Sequence, residues 1–174
     1  ANEEGWLAKN VRAELTVVPM IGWTRAMWFD ETGRPWIKPS PNMSSLATAI
    51  LYPGTCLIEG TTLSEGRGTE HPFEWIGAPY MDGVRWAEVL NAQGIPGVSF
   101  SPVTFVPQEI PNVASNPKHR GKSCSGISIM ITDRNVIKPF RLGLFILSTA
   151  KSVAPDSMKW RTGSIDRLSG TTEL

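Results

Sequence analysis

The sequence lacks the features that mark several common classes of protein. Its 174 residues include two cysteines and two histidines, without the spacing of a four-ligand zinc site. The formal net charge is +1, and the lysines and arginines are scattered rather than gathered into a basic stripe. No apolar run approaches the roughly 18–20 residues that cross a bilayer. We therefore expect no metal site, no nucleic-acid partner and no membrane span.

The sequence does not decide whether its two cysteines form a disulfide. Cys56 and Cys124 are far apart in sequence, so they could form a disulfide or remain as two buried thiols. Hydrophobic residues make up 41% of the chain and charged residues 19%, which is typical of one globular domain. Because no repeat or low-complexity tract interrupts it, residues 1–174 are interpreted as a single domain.

Apolar patterns predict an α+β fold with a small mixed or antiparallel sheet and packed helices. Strands are predicted at 75–79, 98–107 and 124–132, and helices at 46–51, 83–91 and 140–151. Ser44 or Ser45 could cap the first helix, and Asp82 the second. Two shorter strands are predicted at 15–20 and 56–58, the latter placing Glu59 at its end. The polar tail after residue 160 could be anchored by Ile165 and Leu168.

The opening of the chain has a different pattern. Residues 3–10 are typical of the end of a helix, and a short strand follows. The end of a helix followed by a strand suggests that the sequence starts in the middle of an alternating α/β unit. The first twenty residues could then belong to an adjoining α/β layer.

Chemically informative residues are concentrated in residues 59–69, here called the glycine-rich loop. Its glycines permit positive φ and close approach of another molecule, and its backbone N–H groups could hold an anion. Arg67 offers a fork for a carboxylate or phosphate. Glu59, Glu65 and the nearby Glu74 could serve as acids, bases or acceptors for sugar hydroxyls. The alternative is a polar surface turn closed by an internal Arg–Glu ion pair.

Blocks along most of the chain resemble the NamZ-type exo-β-N-acetylmuramidases, a bacterial family of glycoside hydrolases. The match runs from about Asn2 to Thr171. The matching blocks are residues 23–25, 29–33, 39–43, 52–55, 59–61, 64–69, 72–74, 77–79, 124–126, 131–133 and 165–171. Ser44, Thr62 and Tyr80 depart from the residues expected at those positions.

The resemblance implies the C-terminal α+β domain of a two-domain enzyme whose cleft lies against a larger Rossmann-like N-terminal domain. Residues 1–22 could then be the trailing edge of that missing domain. Such enzymes release N-acetylmuramic acid from the non-reducing ends of peptidoglycan fragments without an organic cofactor. Because the front half of the family is missing, we expect this polypeptide alone to be weakly active or inactive. The resemblance also favours a periplasmic or secreted location.

Glu59 and Glu65 are the predicted catalytic residues, because glycosidases commonly use two carboxyl groups and these two flank one loop. One carboxyl of the pair could instead lie in the missing domain, with Glu65 pairing with Arg67 or Glu59 accepting backbone N–H bonds. Arg67 could clamp the lactyl carboxylate of muramic acid or form that internal salt bridge. The other predicted substrate-binding residues are Asn42, Thr61, Ser64, Thr69 and Glu74; Asn42 could also bond to the glycine-rich loop.

Two further functions stay open beside the glycosidase. The chain could be a peptidoglycan- or carbohydrate-binding module without catalysis. It could also handle acyl or phosphoryl groups through the glycine-rich loop, although no P-loop spacing or catalytic triad supports this.

Overall fold

The computed structural model describes residues 2–173 and divides the chain into two compact units. The first unit ends at Pro35 and the second begins at Trp36. No helix among residues 2–173 is long and apolar enough to span a bilayer.

The first unit contains short 3₁₀ helices at Ala8–Asn10 and Phe29–Thr32, and no strand appears among its described residues. The prediction of a buried strand at 15–20 is wrong, since Leu15 and Val18 are 73% and 85% exposed. A strand needs a hydrogen-bonded neighbour and a cover for its apolar face, and residues 2–35 supply neither. The helix predicted over 3–10 shortens to a turn and one 3₁₀ helix, because Gly5 adopts a positive φ of 68°.

The second unit is built on an antiparallel sheet of three strands. These are β1 (Trp75–Ala78), β2 (Val98–Phe105) and β3 (Cys124–Ile131), in the order β1-β3-β2. Both outer strands run antiparallel to β3, with Trp75 opposite Ser128 and Phe105 opposite Cys124. The sheet and its helices confirm the predicted α+β class.

In the described part of the chain, four α-helices accompany the sheet: α1 (Leu46–Thr55), α2 (Gly83–Ala92), α3 (Pro139–Val153) and α4 (Thr162–Ser169). Ser45 caps α1 by accepting a hydrogen bond from the Thr48 amide, and Asp82 caps α2 by accepting from the Arg85 amide. These caps satisfy amides that have no partner within the helix, and the cap predicted at Asp82 is confirmed.

The end of α1 differs from the prediction. The helix continues through Pro53 to Thr55 and passes into a 3₁₀ helix, Cys56–Gly60, so the strand predicted at 56–58 is wrong. Tertiary packing overrides the local Pro-Gly signal here, because Gly54 lies against α3. A Cβ atom on Gly54 would stand 1.8 Å from the Pro139 carbonyl oxygen.

The core of the second unit lies between the sheet and α1, α2 and α3. Trp86 is fully buried and donates its indole N–H to Thr149 Oγ1 at 2.9 Å. This bond satisfies the one polar atom of the largest core side chain and joins α2 to α3 inside the core.

Candidate functional site

The glycine-rich loop leaves the 3₁₀ helix at Gly60 and is fastened to the edge of the sheet. Ser64 exchanges two backbone hydrogen bonds with Gly77 of β1, at 2.8 and 3.1 Å. Gly66 and Gly68 have φ angles of 79° and 81°, which L-residues rarely adopt. A Cβ atom on Gly68 would also stand 2.3 Å from the Gln108 carbonyl oxygen. Glycine is therefore required at both turns for conformation and for space.

An open cleft of about 500 Å³ lies beside this loop. The glycine-rich loop contributes Glu59, Glu65 and Arg67 to its wall. The opposite wall is formed by residues 113–118 and by the start and face of α4. A cleft of this volume accommodates a ligand of monosaccharide size or somewhat larger. Three of the predicted site residues are thus brought together in one concave surface.

Arg67 joins the two predicted catalytic carboxylates. Its Nη2 and Nε atoms lie 2.5 and 3.1 Å from Glu59 Oε1, and Nε lies 3.4 Å from Glu65 Oε1. The internal Arg–Glu ion pair considered as an alternative is therefore present in the structure. Because both carboxylate oxygens contact one nitrogen, they lie within about 6.5 Å of each other, no farther apart than the shortest spacing in inverting glycosidases.

Glu59 and Glu65 differ in access to the cleft. The Glu59 side chain is 27% exposed and that of Glu65 is 5% exposed. Glu59 can therefore meet a ligand directly, whereas Glu65 is buried behind Arg67 and Lys118.

Lys118 holds the loop from behind, and sequence analysis did not identify it. Its Nζ donates to the carbonyl oxygens of Ile58, Glu59 and Leu63, at 3.0, 3.3 and 2.9 Å. Glu65 Oε2 is 3.1 Å from the same nitrogen, yet it accepts no well-directed hydrogen bond. The three ammonium protons serve the carbonyls, so the carboxylate is balanced by charge alone.

The surroundings of Lys118 also shift its pKa. Burial lowers the pKa of Lys118 from its ordinary value, while the negative charge of Glu65, 3.1 Å away, opposes that effect. The cation lies more than 50 positions from the carbonyls it binds, so no local pattern in the sequence could have revealed it.

Three of the predicted substrate-binding residues support the loop from inside. Thr61 Oγ1 donates to Ile58 O and accepts from the Leu63 amide, and Ser64 Oγ accepts from the Gly66 amide. Thr69 Oγ1 donates to Gly66 O and accepts from the His71 amide. None of the three is among the residues that line the cleft.

Asn42 and Glu74 support neighbouring elements. Buried Asn42 donates to the carbonyl of Val113 at 2.8 Å, rather than to the glycine-rich loop, and so holds the opposite wall of the cleft. Glu74 accepts hydrogen bonds from Thr48 Oγ1 and Ser45 Oγ, at 2.5 and 3.1 Å, and secures the start of α1.

The last helix completes the cleft and was missed by the sequence analysis, apart from the anchors Ile165 and Leu168. The Arg161 amide donates to Gly60 O at 2.8 Å just before α4 begins. Buried Ile165 then packs on Gly60, where an added Cβ atom would lie 2.8 Å from it. These contacts bring Arg161 and Arg167 to the rim of the cleft.

The two cysteines are free. Cys124 is fully buried, and this burial raises the pKa of its thiol to about 11. Burial raises the pKa of Cys56, and the negative charge of Glu59 raises it further.

Across residues 2–173, no group of three or more His, Cys, Asp or Glu side chains is arranged to hold a metal ion.

The second unit is an α+β domain with a charged cleft beside its glycine-rich loop, and comparison with known families shows which family the chain belongs to. The family profile described as "Exo-beta-N-acetylmuramidase NamZ, C-terminal" matches residues 50–174, and the corresponding N-terminal profile matches residues 1–47. The chain belongs to the NamZ exo-β-N-acetylmuramidase family.

Individual relatives agree with this assignment. The "Peptidoglycan beta-N-acetylmuramidase NamZ" of Bacillus subtilis (strain 168) is 41% identical over 162 residues, covering 92% of this chain and 37% of that protein. A DUF1343 family protein from Bacteroides fragilis is 26% identical with a TM-score of 0.83, covering 99% of this chain and 44% of that one. A second B. fragilis protein of that family is 23% identical with a TM-score of 0.55 and shares the fold. The chain thus spans well under half the length of its curated relative.

Proposed function

We propose that this chain is the C-terminal part of a glycoside hydrolase that releases N-acetylmuramic acid from the non-reducing ends of peptidoglycan fragments. The observation that carries the proposal is the cleft of about 500 Å³ with Glu59, Glu65 and Arg67 in its wall. Membership of the NamZ family and the name of the B. subtilis relative support the substrate. The proposal includes an extracytoplasmic location and no organic cofactor.

The two carboxylates have different parts in this proposal. Glu59 reaches the cleft and acts on the sugar, whereas Glu65 is held between Arg67 and Lys118 and fixes the charge and shape of the loop. Because one arginine bridges them, Glu59 and Glu65 leave no open gap for a sugar ring between them. The second reacting carboxyl would then come from the Rossmann-like N-terminal domain, with residues 1–22 as the trailing edge of that domain.

Substrate contacts by Asn42, Thr61, Ser64, Thr69 and Glu74 remain predictions. In this chain their side chains bond to the loop, to the opposite wall or to α1. We propose that they act on the sugar through the shape they give to the cleft.

An activity assay on the chain with and without an N-terminal NamZ domain tests the proposal. The substrate is a disaccharide with N-acetylmuramic acid at its non-reducing end, and the readout is the released sugar. We expect little release by the chain alone and clear release when the N-terminal domain of the B. subtilis relative is joined to it. Glu59→Gln should lower that release by at least about 100-fold, because it removes an acid or base.

Glu88→Gln is the matched control, because Glu88 is an exposed glutamate on α2 that pairs with Arg85 at 3.6 Å. Sugar release by Glu65→Gln should lie between that of Glu59→Gln and that of Glu88→Gln, because the substitution disturbs the loop without removing the exposed carboxylate. Full activity of Glu59→Gln in the joined protein, or release by the isolated chain at the rate of the joined one, would contradict the proposal.

A carbohydrate-binding module is the second candidate. The observation that favours it is the engagement of both carboxylates by Arg67, which leaves neither wholly free for proton transfer. Binding of the muramic acid disaccharide with no turnover in the joined protein would support this candidate over the hydrolase.

A further inference from the structure

The charges that line the cleft are unequal. Four basic side chains, Arg67, Lys118, Arg161 and Arg167, face two acidic ones, Glu59 and Glu65. The lining therefore carries an excess of two positive charges. A pocket that received only neutral sugars would gain nothing from this excess, which points to an anionic group on the ligand.

The excess does not reside on the two cations nearest the glycine-rich loop. Arg67 is held by Glu59 and contacts Glu65, and one face of its guanidinium is covered by the Phe73 ring, 5.0 Å away. Lys118 uses its protons on three carbonyls and balances Glu65. An incoming anion would have to compete with those groups, so it gains little at either cation.

Among the described residues that line the cleft, Arg161 and Arg167 are the cations without an acidic partner. Within residues 2–173, neither forms an ion pair, and Arg167 Nε donates to the Gly163 carbonyl of its own helix at 2.8 Å. Both arginines line the cleft and are exposed to solvent. Their forked donors match the planar geometry of a carboxylate.

The element that carries these two arginines is fixed against the loop. Arg161 is tied through its amide to Gly60, the residue after Glu59, and Ile165 packs on the same glycine. The positive charge of Arg161 also acts inside the cleft, since it is one of the causes that lower the pKa of Lys118. A ligand that contacts Glu59 is therefore within reach of the two free cations.

We propose that Arg161 and Arg167 recognise the carboxylate of an acidic sugar, and so make the cleft select a carboxylated amino sugar over its neutral counterpart. This inference rests on the proposed function and deepens it, since it moves carboxylate recognition from Arg67 to the start and face of α4. Glu59 then contacts the hydroxyl groups of the same ring.

Titration of the 174-residue chain with N-acetylmuramic acid and with N-acetylglucosamine tests the inference. Binding is followed by NMR chemical shifts and calorimetry at low salt. We expect the acidic sugar to bind about tenfold more tightly, the effect of one or two charge-assisted hydrogen bonds. In the variant that carries Arg161→Gln and Arg167→Gln, its affinity should fall to that of the neutral sugar, while the affinity for the neutral sugar stays unchanged.

Two control variants separate recognition from folding. Arg85→Gln removes an exposed arginine of α2 that pairs with Glu88, and it should leave both affinities unchanged. Replacement of Arg161 and Arg167 by lysine keeps the charge and should retain part of the preference, although the fork is lost. Thermal unfolding of each variant establishes that α4 is still folded.

The outcomes distinguish the inference from the proposed function. Equal affinity for the two sugars, or a preference that survives both glutamine substitutions, would overturn the inference and leave sugar binding intact. Failure of both sugars to bind would overturn the inference together with the sugar cleft itself, and binding of inorganic phosphate alone would assign the arginines to a different anion.

Discussion

At the scale of single residues, Lys118 holds the cleft together. One partly buried ammonium binds three carbonyls around the glycine-rich loop and balances Glu65, so its removal leaves a buried carboxylate and three acceptors poorly satisfied. Breaking a buried ion pair by removing one partner is far more costly than removing a surface charge.

We therefore expect Lys118→Met to lower the free energy of unfolding by about 3–5 kcal/mol. Urea unfolding measures this loss. Lys122→Met is the matched control, since Lys122 is exposed in the same loop region, and its effect should stay within about 0.5 kcal/mol. Equal effects of the two substitutions would show that Lys118 does not fix the loop.

Cys124 gives a prediction for pH. Its thiol has a pKa raised from 9.0 to about 11 in the folded chain, so the folded state keeps its proton at a pH where the unfolded chain loses it. The stabilising contribution is complete below pH 9.0 and is lost as the pH rises through about 11.

Relative to Cys124→Ala, the unsubstituted chain should thus lose about 3 kcal/mol of unfolding free energy as the pH rises from below 9.0 to above about 11, at about 1.4 kcal/mol per pKa unit. Urea unfolding of both proteins on either side of pH 9.0 measures the difference. Parallel pH profiles for the two proteins would contradict a buried, un-ionised thiol.

At the scale of elements, the sequence predicted correctly those helices and strands whose structure depends mainly on their own residues. The alternation in β2 and β3 and the cap at Asp82 are local signals, and the structure has those elements. The continuation of α1 through Pro53 and the existence of α4 depend on contacts with α3 and Gly60, which no short window of sequence contains.

The candidate site divides in the same way. Glu59, Glu65 and Arg67 could be grouped because they lie within nine residues of one another. Lys118, Arg161 and Arg167 reach the cleft from about 50 to 100 positions away, through folding alone. Sequence patterns therefore predicted one wall of the cleft and missed the other.

The contact between Gly60 and α4 is testable by a pair of glycine substitutions. Gly60→Ala places a Cβ atom 2.8 Å from Ile165 and should destabilise the chain by about 1–3 kcal/mol, while weakening sugar binding by displacing α4. Gly163→Ala is the control, because nothing lies within 4 Å of the added atom and alanine favours the helix. Unchanged unfolding and binding in Gly60→Ala would show that α4 is not seated on that glycine.

At the scale of the whole molecule, the chain contains a second unit that carries the cleft and a first unit with exposed apolar side chains. The two NamZ profiles match residues 1–47 and 50–174, whereas the compact units divide between Pro35 and Trp36. Leu15, Val17 and Val18 are exposed within the first unit. We propose that these side chains pack against a Rossmann-like N-terminal domain, which would explain why their apolar pattern predicts a strand that residues 2–35 do not form.

The most direct test of the account is a crystal structure of this chain with N-acetylmuramic acid. We predict the sugar in the cleft beside the glycine-rich loop, with a ring hydroxyl bonded to Glu59 and the carboxylate at Arg161 and Arg167. A sugar bound instead in the apolar groove lined by Ile95, Val136 and Phe145, or a cleft left empty while the sugar binds elsewhere, would contradict it.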